Sequence, residues 1–248
     1  FGLVVLIIGG NLLLKSAVSL SFKFNIPKIL IGMTVVSFAT SLPELIVSIN
    51  AAINGSPSIA VNNVVGSNIA NIGLVLGLIA ILTDISVDDK FFKRDWSWMF
   101  FLSIIVSLFM FQDNLLDRFE GLLLVIFLLS FIYNVLKKSD STESYNDIDD
   151  KLKLTSNFKI FIWLIISSLT LYFGAEFLVE GAVKLAKQIN ISEAVISVTL
   201  VAIGTSIPEL AASTVAIAKN EKGISVGNLI GSNIFNIGSV LGITAIIK

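Results

Sequence analysis

The chain has 248 residues, 55% hydrophobic and only 14% charged, with a mean hydropathy of +0.91; that balance lies outside the range of water-soluble globular domains and points to a polytopic membrane protein. A formal net charge of −1 offers nothing to a nucleic-acid backbone, and the absence of cysteine and histidine removes disulfides, thiolate metal sites, the usual zinc ligands and the usual general base. Any chemistry is left to carboxylates, amides, hydroxyls and backbone.

A membrane-crossing helix needs roughly 20 mostly apolar residues. Eight such runs are predicted in chain order, at about 1–21, 29–52, 59–83, 96–112, 118–137, 158–180, 194–218 and 224–247. They do not alternate apolar with polar residues, which argues for an all-α bundle rather than a barrel. Phe1 starts inside one apolar run and Lys248 ends another, so the chain is expected to belong to a longer protein. If the first run ends on the cytoplasmic side, thirteen Lys and Arg residues fall inside and four (Arg118, Lys184, Lys187, Lys248) outside. The positive-inside rule then puts the N-terminus outside, and the lack of a long regulatory domain between the fifth and sixth runs favours the plasma membrane of a microbe over an animal one. The rule also puts the polar stretch 138–157, KSDSTESYNDIDDKLKLTSN, inside, where it reads as a solvated linker between a first half (1–137) and a second half (158–248).

The second half repeats the first. Shifting the sequence by 165 residues lays Gly9 on Gly174 and Gly77 on Gly242 without a gap between them. Within that register TSLPEL (40–45) matches TSIPEL (205–210), and VVGSNIANIGLVLG (64–77) matches LIGSNIFNIGSVLG (229–242). Five runs precede the second copy, an odd number, so the copies must cross the membrane in opposite directions. Inverted-topology repeats recur among secondary transporters, with the substrate site near the midplane where the copies meet.

Pro43 and Glu44 sit at the middle of the second run, and Pro208 and Glu209 at the middle of the seventh. A proline there frees the carbonyl four residues earlier, that of Ala39 or Gly204, and breaks the helix at depth. Irregular backbone is tolerated there only when buried in protein or lining a polar cavity. Helical spacing puts Ser37, Thr40, Ser41, Glu44 and Ser48 on one face, and the second copy offers Thr205, Ser206, Glu209 and Ser213. Asn63, Ser67 and Asn71 follow at i, i+4 and i+8, with Asn228, Ser232 and Asn236 as their counterparts. Such an all-oxygen set suits a hard cation such as Ca²⁺, which takes about 6–8 oxygens. An ionisable group at the bilayer centre is functional by default, and here it occurs twice at matched positions. The glycines Gly66, Gly73 and Gly77, with Gly231, Gly238 and Gly242, read as faces for close helix approach. Asn68 and Asn233 weigh between interhelical glue and site. Glu176 and Glu180 fall near the end of their run, where solvation and an ion-entry role are equally open.

The doubled TSLPE…GSNIANIG and TSIPE…GSNIFNIG blocks resemble the two alpha repeats of the calcium/cation antiporter superfamily, in its sodium/calcium exchanger branch with prokaryotic relatives. The resemblance covers roughly residues 1–83 and 166–248, with the alpha repeats at about 29–83 and 194–247. It implies a ten-helix inverted repeat, of which this chain would hold about eight helices, lacking the last two. It also implies four helices around a diamond of cation sites, and alternating access by sliding of the first and sixth helices. Carried onto this chain, Glu44 and Glu209 would be shared by Ca²⁺ and Na⁺. Thr40, Ser41, Ser67, Asn71, Thr205, Ser206, Ser232 and Asn236, with the carbonyls of Ser37 and Ala202, would complete the sites. Position 236 is Asn where the potassium-dependent branch usually shows Asp, and the GN-A-x-E form of the proton-coupled branch is absent, so Na⁺ coupling is preferred over K⁺ or H⁺.

The implied mechanism is antiport without a cofactor. Two carboxylates balance one Ca²⁺ or a set of Na⁺ ions, and both loads together would crowd charge in a low-dielectric site. Protons are expected to compete for the same oxygens. A cation channel could use the same cage, but the inverted repeat favours alternating access. An intramembrane hydrolase would need a nucleophile with a base or an aspartate pair, and no Asp falls mid-span. A cation sensor that moves nothing would leave the doubled site unexplained.

Overall fold

The computed structural model describes residues 1–85, 91–111, 116–137, 150–189 and 204–247, and these are helical. In chain order the helices are α1 (Gly2–Phe24), α2 in two arms (Lys28–Thr40 and Leu42–Ile53), α3 (Pro57–Leu82), α4 (Ser97–Phe109), α5 (Arg118–Lys137), α6 (Asn157–Gln188), α7 (Ile207–Ala218) and α8 (Lys222–Ile247). Five of them are long and apolar enough to cross a membrane, and α2 makes a sixth when its arms, bent by 43°, are counted as one span. The shorter apolar helices α4 and α7 occupy the other two expected runs. Residues 190–203, the first part of the expected seventh run, and 138–149 of the linker lie outside the described residues.

Local chemistry sets the helix ends. α1 stops at Asn25, which takes the left-handed conformation (φ 52°) that caps a helix C-terminus. The α2–α3 and α7–α8 turns repeat one another at the same register: Gly55 (φ 78°) and Asn220 (φ 59°), 165 residues apart, both enter the left-handed region that glycine and asparagine reach most readily. Pro43 and Pro208 sit in the first turn of their helical segments, where a missing N–H leaves no bond unmade. Ser41 (φ −85°, ψ 1°) and Ser206 (φ −89°, ψ 2°) are the paired break points.

Polar contacts gather several connections at one end of the bundle. Lys28, at the start of α2, pairs with Glu221 of the α7–α8 turn at 2.8 Å, and Lys222 Nζ donates to the carbonyl of Asp84 after α3. Near the end of α1, Ser19 Oγ donates to the carbonyl of Leu152, and Lys23 Nζ to Asn157 Oδ1 at the start of α6. The connections that the Lys and Arg distribution groups on one side thus share one face.

Lipid tails are as apolar as leucine, so packing of the helices relies on close backbone approach. α8 is the central, most enclosed helix. It lies against the first arm of α2 so closely that a Cβ at Gly32 would sit 2.5 Å from Ile224 O, and one at Gly231 2.5 Å from Met33 O. α5 covers the last two glycines of α8: a Cβ at Gly238 would meet Leu128 Cβ at 2.6 Å, and one at Gly242 would meet Val125 at 2.9 Å. The counterparts Gly66, Gly73 and Gly77 on α3 have nothing within 4 Å of such a Cβ. Among the described residues the expected small-residue face is thus packed against neighbours on α8, and no described residue covers its counterpart on α3.

α1 and α6 run antiparallel along one another, and their contact is two-fold. Gly9 seats Leu171, and Gly174 seats Leu6, each pair offset from the other by 165 residues. α6 continues to Gln188, well past the expected end near 180. Glu176 and Glu180 are therefore interior residues of a long helix, not helix-end residues.

Candidate cation site

The breaks of α2 and α7 meet the GSN segments of α3 and α8 at the centre of the bundle. Glu44 and Glu209 occupy the first turn of their helical segments, where the aligned backbone dipoles favour negative charge, and both are fully buried. Around them three pairs of hydrogen bonds obey the 165-residue repeat. Thr40 Oγ1 lies 3.2 Å from Ser232 Oγ, and its twin Thr205 Oγ1 lies 2.9 Å from Ser67 Oγ. Asn63 Nδ2 donates to Ser48 Oγ at 3.1 Å, and Asn228 Nδ2 donates to Ser213 Oγ at 3.0 Å. Asn71 Nδ2 donates to Asn233 Oδ1 at 3.1 Å, and Asn236 Nδ2 donates to Asn68 Oδ1 at 3.0 Å. Two of the three pairs cross between copies, so the centre is built jointly by the halves.

Two further contacts break the symmetry. Ser41 Oγ donates to Glu209 Oε1, and Ser206 Oγ to the carbonyl of Ser67, both at 3.5 Å. Asn228 Oδ1 accepts from Thr40 at 3.1 Å and from Ser232 at 3.4 Å.

The oxygens without a donor identify the chemistry. Among the described residues nothing donates to Glu44 Oε1, Glu44 Oε2, Glu209 Oε2, Asn71 Oδ1 or Asn236 Oδ1, all buried. A buried polar atom without a partner costs about 1–3 kcal/mol, and five acceptors here share that condition. Acceptor-only oxygens with neighbouring hydroxyls fit a hard cation. Among the described residues there is no cluster of three or more Asp, Glu, His or Cys side chains that a softer metal would use.

The residues singled out by spacing are thus brought together: Glu44, Glu209, Thr40, Ser41, Ser67, Asn71, Thr205, Ser206, Ser232 and Asn236 line one centre. Ser37 is buried there too, with its hydroxyl 2.8 Å from Gly32 O and 2.9 Å from Asn228 O, while its carbonyl accepts from the Ser41 N–H and lies 3.3 Å from the Thr40 hydroxyl. Ala202 lies outside the described residues. Spacing undervalued Asn228, Asn68 and Asn233, whose matched offsets to Ser232, Asn71 and Asn236 were the available signal. It also carried the α-helical phase of Asn63, Ser67 and Asn71, and of Asn228, Ser232 and Asn236, into the π-helical turns at Ala70–Leu76 and Asn236–Leu241. Such turns shift the face presented and are frequent at functional sites.

A cavity of about 380 Å³ opens beside the centre, lined by Pro43, Val47, Ala175, Val179, Pro208 and Thr205 among others, with Glu176 and Glu180 at its wall. It lies between α6 and the second arm of α2. On the other side α1 packs along α7, with Gly10 seated on Val215. The two-fold relation is broken here: one side is closed and the other open.

The model of the family described as sodium/calcium exchanger protein matches residues 1–137 and 159–248. The chain belongs to that family. It is 32% identical over 282 residues to the sodium/calcium exchanger MaX1 of Methanosarcina acetivorans, covering 99% of this chain and 81% of MaX1. It is 35% identical over 255 residues to the inner membrane protein YrbG of Escherichia coli, covering 99% of this chain and 78% of that one. Among solved structures, the sodium-calcium exchanger NCX_Mj soaked with neither Na⁺ nor Ca²⁺ superposes with a TM-score of 0.84 at 34% identity, covering all of this chain and 80% of its own. The chain is accordingly a multi-pass membrane transporter of the Ca²⁺ and Na⁺ antiporter class and not an enzyme.

Proposed function

We propose that this protein exchanges Na⁺ for Ca²⁺ by alternating access, with both ions competing for one centre built on Glu44 and Glu209. The carrying observation is the set of five buried acceptor oxygens with no donor among the described residues, three from Glu44 and Asn71 and two from their matched positions Glu209 and Asn236. Both carboxylates, the amide oxygens of Asn71 and Asn236, and the hydroxyls of Thr40, Ser41, Ser67, Thr205, Ser206 and Ser232 are the proposed ligands. A hydroxyl can donate to one neighbour and still offer a lone pair to a cation. Two carboxylates match one Ca²⁺ in charge, whereas hydroxyl and amide oxygens extend the cage to monovalent ions of similar size. The cavity between α2 and α6 is the proposed path to one side of the membrane, and the proposed orientation has the N-terminus outside. Coupling to Na⁺ is supported by the Thr-Ser-x-Pro-Glu form of both motifs and by the description of the family.

The test is radiolabelled Ca²⁺ uptake into Na⁺-loaded proteoliposomes, for the parent and for Glu44→Gln and Glu209→Gln. Uptake that needs the outward Na⁺ gradient and disappears in both variants is expected. Uptake driven equally well by a pH gradient with Na⁺ absent, or surviving both substitutions, would overturn the reading.

A further inference from the structure

Glutamates, hydroxyls and two asparagines are given roles above, while Asn68 and Asn233 are not. Each belongs to a GSN triplet, and the two are related by the same 165-residue shift. Their side chains touch none of the five unpartnered oxygens, yet all their polar atoms are engaged. Asn68 Oδ1 accepts from Asn236 Nδ2 at 3.0 Å, and Asn68 Nδ2 donates to the carbonyl of Asn233 at 3.3 Å. Asn233 Oδ1 accepts from Asn71 Nδ2 at 3.1 Å, and Asn233 Nδ2 donates to the carbonyl of Asn68 at 3.4 Å. Asn68 and Asn233 thus close a two-fold ring between α3 and α8 through each other's backbone carbonyls, and each holds one pendant amide, Asn236 or Asn71, of the opposite helix.

The ring settles a choice that an asparagine does not make by shape. Its carbonyl and amino ends are nearly the same size, but one accepts and the other donates. An NH₂ turned toward a cation would repel it. If Asn236 flipped, its Oδ1 would face Asn68 Oδ1, acceptor against acceptor. Asn68 could correct that only by flipping too, which would turn its own oxygen against the carbonyl of Asn233. The same holds for Asn71 and Asn233. The orientation is therefore locked two residues deep, and the unpartnered atoms of Asn71 and Asn236 are both Oδ1.

We propose that Asn68 and Asn233 are positioning residues, each holding the amide of the opposite copy so that Asn236 and Asn71 present oxygen, not nitrogen, to the transported cation. The proposal rests on the reading that these oxygens face a cation. It explains how a neutral residue serves at position 236. A carboxylate there would need no orientation because its oxygens are equivalent, whereas an amide does.

That difference supplies the test, a mutant cycle read by Ca²⁺ titration calorimetry on the purified chain in detergent. Asn68→Leu is expected to weaken Ca²⁺ binding 10–100-fold, the usual cost of losing a group that orients a metal ligand. In an Asn236→Asp background the same Asn68→Leu change is expected to cost less than about 3-fold, since the ligand it orients is now symmetric. An equal loss in both backgrounds would mean that Asn68 merely holds α3 to α8, and would overturn the proposal. Should Asn68→Leu not yield a monodisperse protein, the twin decides: Asn233→Leu, which releases Asn71, is expected to weaken Ca²⁺ binding 10–100-fold alone and less than about 3-fold in an Asn71→Asp background, and an equal loss in both would overturn the lock. The cation reading fails separately: Asn236→Ala together with Asn71→Ala leaving Ca²⁺ affinity unchanged would refute it before the lock is at issue.

Discussion

Replacing Gly231 with alanine places a methyl carbon 2.5 Å from Met33 O and 2.6 Å from Met33 Cα, both backbone atoms of α2 that no rotamer change can move. Ordinary contact begins near 3.4 Å, so α2 and α8 must part by about 0.9 Å. Overpacking of this kind costs about 1–3 kcal/mol, offset by the ~0.5–1 kcal/mol that alanine gains over glycine in a helix. The separation also lengthens the bridges from Thr40 to Asn228 and Ser232, now 3.1 and 3.2 Å, past hydrogen-bonding range. Gly231→Ala should therefore lower the unfolding temperature and weaken Ca²⁺ binding together. The repeat provides an internal control in the twin Gly66, where an added methyl meets nothing within 4 Å. Gly66→Ala should leave Ca²⁺ binding intact and hold or raise stability by up to ~1 kcal/mol. Thermal unfolding in detergent with and without Ca²⁺, on both variants of this chain, makes the comparison. Equal losses in the two, or a Gly231→Ala protein as stable and tight as the parent, would refute the packing argument.

Three other outcomes are expected. Glu44→Gln removes one of two neighbouring buried carboxylates, so it should unfold at a higher temperature than the parent without Ca²⁺. At a Ca²⁺ level 100 times the parental Kd it should lack the ~2.7 kcal/mol that binding adds; a Ca²⁺-dependent shift of parental size would count against the site. Because the chain has no cysteine, single thiols can probe the open side. Val47→Cys and Val179→Cys should react with a charged, water-soluble thiol reagent in proteoliposomes, while the twins Ala212→Cys and Leu14→Cys, buried against α1 and its neighbours, should not. Symmetric labelling would show that the cavity is not an aqueous path. The Lys28–Glu221 pair is under one quarter exposed on both side chains, so a double-mutant cycle with alanine should give a coupling of ~0.2–1 kcal/mol, falling as salt is raised.

Much of this centre could be read from spacing because the code is written twice. One copy of TSLPEL suggests a proline kink; two copies in register, separated by an odd number of spans, imply a two-fold site. The glutamates, hydroxyls and amides followed directly, since they are the only polar groups that both copies place at depth. Three features escaped for identifiable reasons. The length of α6 was hidden because Glu180, Lys184 and Lys187 look like a helix end by hydropathy, although Glu180 and Lys184 pair along the helix at 2.6 Å. The π-helical turns leave no trace in hydropathy or motif spacing, since one extra residue in a turn changes no residue type. The role of Asn68 was ambiguous because an amide that glues and an amide that orients have the same spacing.

In the proposed exchange, the scarcity of charge at the centre also sets how membrane voltage acts on the protein. Among the described residues, Glu44 and Glu209 are the acidic side chains that meet there, and position 236 contributes a neutral amide, so the ionised centre carries −2. Loaded with Ca²⁺ it is neutral, and a field of 100 mV, which acts with about 2.3 kcal/mol on each elementary charge carried across, has nothing to act on during that half of the cycle. Loaded with any number of Na⁺ other than two, the centre carries charge, and the whole voltage dependence of exchange falls on the Na⁺ leg. Asn236→Asp would move part of it to the Ca²⁺ leg, so a single neutral side chain decides which ion feels the membrane potential.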